Sequence, residues 1–236
     1  TVEATGIGGG MKLFCSGVGV KYPDISNASR RMKQSEFEQC QKNGVKDIVE
    51  IQVGFDGIVL ANAIGSLRYN LTRKDIFLAL AKKVPNPDGS ATTVANPYKT
   101  WKDVNAKLPA NKIEVLGPPP TSGTRDAFAE LALEGGCSEI PFLKALKDKS
   151  EDDFKAACHT IREDGVYIEA GENDNLIVQK LEKNPNALGV FGFSFLDQNS
   201  DKVHGSLIEG QAPEFEAIAD KSYPVSRPLY MYVKKA

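Results

Sequence analysis

Short apolar runs in this chain are repeatedly followed by a turn rich in glycine or hydroxyl residues, and then by a segment whose apolar side chains recur at helical spacing. Such a series buries its apolar faces by laying helices over a sheet, which is α/β architecture. Residues 2–4 read as a first strand, Thr5-Gly6-Ile7-Gly8-Gly9-Gly10 as its turn, and 11–14 as the start of a helix. Ser35-Glu36-Phe37-Glu38 opens a charged helix that Asn43-Gly44 closes, because glycine readily takes the left-handed cap conformation. Residues 45–53 alternate as a half-buried strand does, and 57–61 form a continuous apolar run of the fully buried kind, with Gly54-Phe55-Asp56-Gly57 between the two runs. Thr72 caps a helix with Asp75 as capping-box partner and Ile76, Phe77, Leu80 and Val84 as its apolar face. Residues 112–116 read as a strand whose Pro-rich turn, Gly117 to Thr124, feeds a helix over 125–133. Residues 152–161 and the stretch from the Asn173 cap to Lys183 read as helices, 188–196 as an aromatic-rich strand, and 229–233 as the last strand.

With 236 residues, 41% of them hydrophobic and 25% charged, the chain can form one large core or two smaller ones, and gross disorder is excluded. The 29 Lys and Arg nearly balance 31 Asp and Glu, a net charge of −2, so there is no basic footprint for nucleic acid or an anionic membrane. Any anion site must be local. No apolar run approaches the roughly 18 residues of a membrane span, and Thr1-Val2-Glu3-Ala4-Thr5 has neither the basic nor the apolar region of a signal peptide.

Cys15 and Cys40 lie 25 residues apart and Cys137 and Cys158 lie 21 apart. Two local disulfides are expected over the alternative of free buried thiols, each worth about 3 kcal/mol in the chain-entropy model. They imply an oxidising compartment. With no Cys-x-x-Cys and only His159 and His204 as imidazoles, no metal centre is expected, and nothing calls for a cofactor.

Four stretches could carry chemistry. Thr121-Ser122-Gly123-Thr124-Arg125 sets three hydroxyls, a glycine and a guanidinium at a helix start, where unpaired amides and the helix dipole favour an oxyanion. Its bland reading is a capped helix with Arg125 in solvent. It is not a Walker A loop, since no Lys follows the glycine. Gly6 to Gly10 would let a backbone, through Gly9 and Gly10, approach a ligand closely, or would merely be a tight turn. Ser29-Arg30-Arg31 offers a hydroxyl beside two guanidiniums, or a solvated basic turn. Asp56, next to a run apolar enough to be buried, would need a partner, unless it is a turn aspartate capping itself.

Hydroxyl- or glycine-bearing turns after strands describe the ligand-facing edge of an open α/β sheet. Catalytic constellations are missing: there is no Gly-x-Ser-x-Gly, His159 falls in a helix, and His204 in a polar loop. Glu163-Asp164 and Glu172-Asn173-Asp174 are expected as solvated charges in turns and helix starts. The sequons at Asn27 and Asn70 are discounted as chance matches.

In order, Thr5-Gly6-Ile7-Gly8-Gly9-Gly10-Met11-Lys12-Leu13-Phe14, Asn27-Ala28-Ser29-Arg30, Gly54-Phe55-Asp56-Gly57, Pro120-Thr121-Ser122-Gly123-Thr124-Arg125, Gly192-Phe193 and Ser226-Arg227-Pro228-Leu229-Tyr230 resemble the periplasmic phosphate-binding proteins of ABC importers. Each motif is modest; together they cover nearly the whole chain.

The resemblance implies a Venus-flytrap fold of two α/β lobes around a ligand cleft: 1–57 plus 229–236, an incomplete first lobe, and 62–225, joined by crossings near 57–62 and 226–232. It implies a monomer that binds inorganic phosphate without chemistry on it and hands it to the membrane subunits of an importer. Ser29 would donate to the phosphate from the first lobe, Ser122, Gly123 and Thr124 from the second, and Arg125 would add positive charge. Asp56 would accept the ligand's own proton, with Gly9, Gly10 and Arg30 as further contacts. Members of that family begin with a strand and a Ser/Thr-bearing turn ahead of this segment and continue past the last strand into helices, so both ends of the first lobe, and the signal peptide of an exported protein, are expected to be absent here. The competing readings are another tetrahedral oxyanion, a phosphoryl-handling enzyme, which would need a nucleophile and base that the sequence lacks, and an adhesion or matrix component that only retains the fold.

Overall fold

The computed structural model describes residues 6–171 and 173–235. In chain order the elements are α1 (Gly6–Phe14), β1 (Ile25–Ala28), α2 (Gln34–Lys42), β2 (Ile48–Ala63), β3 (Asn70–Leu71), α3 (Arg73–Leu80), β4 (Lys83–Pro85), β5 (Thr93–Ala95), α4 (Trp101–Val104) and β6 (Val115–Gly117). Then come α5 (Gly123–Phe128), a π-helical turn (Ala129–Leu133), α6 (Glu134–Cys137), α7 (Pro141–Lys149), α8 (Glu151–His159), β7 (Tyr167–Glu169), α9 (Asp174–Lys183), β8 (Leu188–Gly192), α10 (Phe193–Gln198), β9 (Val203–Gly205), β10 (Leu207–Ile208), α11 (Phe215–Ala219) and β11 (Ser226–Lys234). The chain divides into two compact units, Thr1–Asp56 with Ser226–Ala236, and Gly57–Val225.

In the first unit β11 lies between β1 and β2, and it pairs with β1 antiparallel, Ala28 opposite Tyr230. Tyr230 and Tyr232 alternate onto the face where Met11 and Phe14 of α1, Ala28 and Val45 are buried. The Cys15–Cys40 disulfide ties the end of α1 to α2 beneath them. Val49, Ile51, Val53 and Phe55 share one face of β2 and are exposed.

In the second unit β2 pairs antiparallel with β8, and β8, β6 and β7 run parallel. Ile58 and Leu60 enter one core and Val59 and Ala61 the other, so this half of β2 is buried on both faces, as its continuous apolar run requires. The Cys137–Cys158 disulfide joins α6 to α8. Both expected pairings are present, and no cysteine is free.

Several expectations need correction. The strand expected at 2–4 lies outside the described residues. Residues 6–10 are already inside α1, not in a turn. The spacing of Ile7, Met11 and Phe14 lets one helical face pack on the tyrosines, which outweighs the entropic cost of the glycines. No turn separates the two halves of β2 either. Neither Gly54 nor Gly57 takes a positive φ, and Gly57 is needed because a Cβ there would meet Ile218 at 2.6 Å. The helix capped by Thr72 and Asp75 closes its capping box as expected but ends at Leu80. Asn96 and Arg162 take up the carbonyls of Leu78, Ala79 and Ala81, and Val84 pairs with Val94 in a strand. Residues 193–196 turn into α10 where pairing of β8 ends at Gly192, because Phe193 and Leu196 fit one helical face as well as a strand.

His204 lies in β9 opposite Asn62, not in a loop, and burial with the nearby Arg68 charge holds its imidazole below the usual range. Asp164 is no mere solvated charge: it takes both Nε and Nη2 of the buried Arg162 and is held down to about 2. Asp174 is buried at the start of α9, and loss of water raises its carboxyl. His159 closes α8 with Nε2 2.6 Å from Glu134 Oε2.

Candidate functional site

In the second unit the strand β6 is followed by Pro118-Pro119-Pro120 and then by the start of α5. Ser122 is its N-cap, in extended conformation, its Oγ accepting the Thr124 amide at 3.2 Å while its carbonyl accepts the Asp126 amide at 3.2 Å. Capping uses a lone pair of the hydroxyl, so its proton is still available to a ligand. The first-turn amides of Gly123 and Arg125 have no partner within a helix. Gly123 is exposed, with open space where a Cβ would be, so a ligand atom can come close to the backbone there. The helix start therefore offers a hydroxyl, outward amides and the positive end of the dipole.

Arg125 is not in solvent. Its Nη1 lies 3.0 Å from Glu169 Oε1, and its guanidinium is 4.9 Å from the centre of the Tyr167 ring. Both partners come from β7, whose parallel register with β6 sets Tyr167 opposite Val115 and Glu169 opposite Gly117. The Tyr167 hydroxyl donates to the Pro118 carbonyl at 2.9 Å, and Arg125 reaches the same oxygen at 3.4 Å. Gly117 leaves room for this, because a Cβ there would collide with the Tyr167 hydroxyl. Burial pushes that hydroxyl's pKa up, so it stays a neutral donor. These supports were missed in sequence; Glu169 is 44 residues from Arg125 and nothing local links them.

In the first unit Ser29 follows β1 and is half-buried. Asp56 lies within β2, half-buried rather than buried, its Oδ2 3.4 Å from Arg227 Nε. That supplies the partner its position calls for, and a self-capping turn aspartate is ruled out by the continuous strand. Arg30 forks onto Glu36 at 2.9 and 2.7 Å, and this bond holds the Glu36 carboxyl below its usual value. Arg31 pairs with Glu50 at 3.2 Å and lies 5.5 Å from the Tyr230 ring centre. Arg30 is thus engaged within the unit, while Arg31 keeps 70% of its side chain exposed. Gly9 and Gly10 lie inside α1, where the Gly10 amide is taken by the helical ladder and no open glycine turn exists.

Among the described residues no cluster of three or more His, Cys, Asp and Glu could hold a metal ion, and no helix is long and apolar enough to cross a membrane. What the groups above can do is hold an oxyanion by charge-assisted hydrogen bonds.

The family model described as PBP superfamily domain matches residues 1–236. The phosphate-binding protein PstS of Staphylococcus saprophyticus is 30% identical over 237 residues, covering 98% of this chain and 60% of the relative. The chain thus spans about 60% of the length of this curated relative. Among solved structures, a possible phosphate binding protein from Planctomyces limnophilus superposes with a TM-score of 0.68 at 25% identity, over 96% of this chain and 68% of that one. PstS from Borrelia burgdorferi follows the same fold with a TM-score of 0.61 at 18% identity, over 96% of this chain and 71% of that one.

Proposed function

The chain belongs to the PBP superfamily domain family, and on that premise we propose that it acts as an exported, monomeric receptor that binds inorganic phosphate, performs no chemistry on it, and delivers it to the membrane subunits of an ABC importer. The observation that carries this reading is the start of α5, where the Ser122 hydroxyl caps the helix through the Thr124 amide and keeps its own proton, while the amides of Gly123 and Arg125 have no partner within the helix. These groups supply donors to the ligand's oxygens. Arg30 is left out of the ligand set, since Glu36 takes its guanidinium.

Asp56 gives the reading its selectivity. Phosphate near neutral pH still carries a proton and can donate a hydrogen bond to a carboxylate, whereas sulfate is fully ionised and leaves that carboxylate facing a bare anion. Titration calorimetry with both anions tests this: the wild-type chain should bind phosphate and discriminate against sulfate, and Asp56→Asn should erode the discrimination while keeping the fold. An enzyme using the same cradle would instead turn over a chromogenic phosphate ester, and no turnover is expected.

A further inference from the structure

On the phosphate-receptor reading, we propose that Arg227 is the positioning residue for Asp56: it orients the carboxylate and balances its charge, so that Asp56 stays a local acceptor for a protonated anion without repelling the anion as a whole. The pair belongs to the first unit. Asp56 is the last residue of β2 before that unit ends, and Arg227 is the second residue after the chain returns to it at Ser226. Their strands are neighbours in the sheet, and Arg227 Nε stands 3.4 Å from Asp56 Oδ2.

Burial is unequal. The Arg227 side chain is 13% exposed and that of Asp56 30%, so the cation sits further in and the carboxylate keeps a face toward solvent. Pro228 restricts the backbone of Arg227 to the extended region, which fixes the direction in which the guanidinium leaves the strand. A rigid planar cation behind an accessible carboxylate forms a pair with no net charge. Its field dies away quickly with distance, yet the outer lone pairs of Asp56 still accept a hydrogen bond at contact range. A lone carboxylate would meet the same ligand with a full negative charge.

The test is a double-mutant cycle read by titration calorimetry on the full 236-residue chain, with inorganic phosphate and sulfate as probes and thermal melts as the fold control. Arg227→Met is expected to weaken phosphate binding by roughly tenfold in the wild-type background and by less than about twofold in Asp56→Asn, since the charge it balances is gone. Arg227→Lys should recover most of the loss. If the Met variant does not fold, Arg227→Lys carries the test alone, with a deficit of about threefold expected in the wild type and none in Asp56→Asn. Unchanged phosphate affinity in the Arg227 variants, or an equal loss in both backgrounds, overturns the inference while wild-type binding still supports the receptor. No phosphate binding by the wild-type chain overturns the receptor reading and this inference with it.

Discussion

The Arg125 guanidinium is held between Glu169, 3.0 Å from Nη1, and the face of Tyr167, 4.9 Å away, so the cation of the first turn of α5 is already partly neutralised by a carboxylate from a neighbouring strand. Glu169 is itself half exposed, at 51% of its side chain. Glu169→Ala is therefore expected to raise affinity for phosphate severalfold, by releasing the full charge of Arg125 to the anion. The gain should be larger at low ionic strength, where the field is less screened. Calorimetric titrations at two salt concentrations measure it, and a loss of affinity would mean that Glu169 holds Arg125 in its binding position instead.

Ser122 does two jobs that substitution can separate. Ser122→Ala removes both the cap and the ligand donor and should cost about 1 kcal/mol of stability as well as about 1 kcal/mol or more of phosphate binding. Ser122→Gly should leave stability within a few tenths of a kcal/mol of wild type, since glycine is tolerated at the N-cap, yet lose the same binding energy. Melting curves and titrations on both variants check this. Wild-type affinity in either would remove the hydroxyl from the site.

Gly117 tests the support beneath the cradle. It is fully packed, and a Cβ would collide with the Tyr167 hydroxyl that bonds Pro118. Gly117→Ala should lower stability by about 1–3 kcal/mol, the usual range for overpacking, and weaken phosphate binding as well. Restoring space with Gly117→Ala in Tyr167→Phe should recover part of the stability. No recovery would place the strain elsewhere.

Acid should loosen the second unit through Glu134. The His159 hydrogen bond, followed by Lys147, holds its carboxyl down from 4.5 to about 2, against the opposing effect of burial. An acid whose folded value is depressed stabilises the fold above its unfolded value and loses that contribution as protons are taken up. Stability from this group should accordingly be constant above about pH 4.5 and fall between there and about pH 2. Its size is on the order of 1–2 kcal/mol, discounted for the solvent the groups share. Urea midpoints at pH 6, 4 and 3 should show a smaller acid loss in Glu134→Gln than in wild type; parallel curves would contradict this.

Much of the architecture was legible because it is written in local rules. The capping box of Thr72 and Asp75, the Asn43-Gly44 stop, the doubly buried run at 57–61 and the Ser122 cap depend on residues within a few positions of each other. Both disulfides were legible too, because only two local pairings were on offer. Elements misread from sequence had two local solutions of similar energy. Glycines 8 to 10 suit a turn or an amphipathic helix, Gly54 and Gly57 suit a turn or a strand, and Phe193 to Leu196 fit either period. Packing against Tyr230 and Tyr232, against Ile218, and at the end of the β8 ladder decided each case.

The sequence by itself determined the α/β class and a hydroxyl cap, from Ser122 or Thr124, at the start of α5, since each follows from residue type and near spacing. Only the tertiary structure decided which charges are already paired within the protein. Glu36 holds Arg30, Glu169 holds Arg125 and Arg227 holds Asp56 through neighbouring helices and strands. Coulombic pairing depends on distance through space, and the register of β6 with β7 and the adjacency of β2 and β11 create distances that sequence separation does not encode.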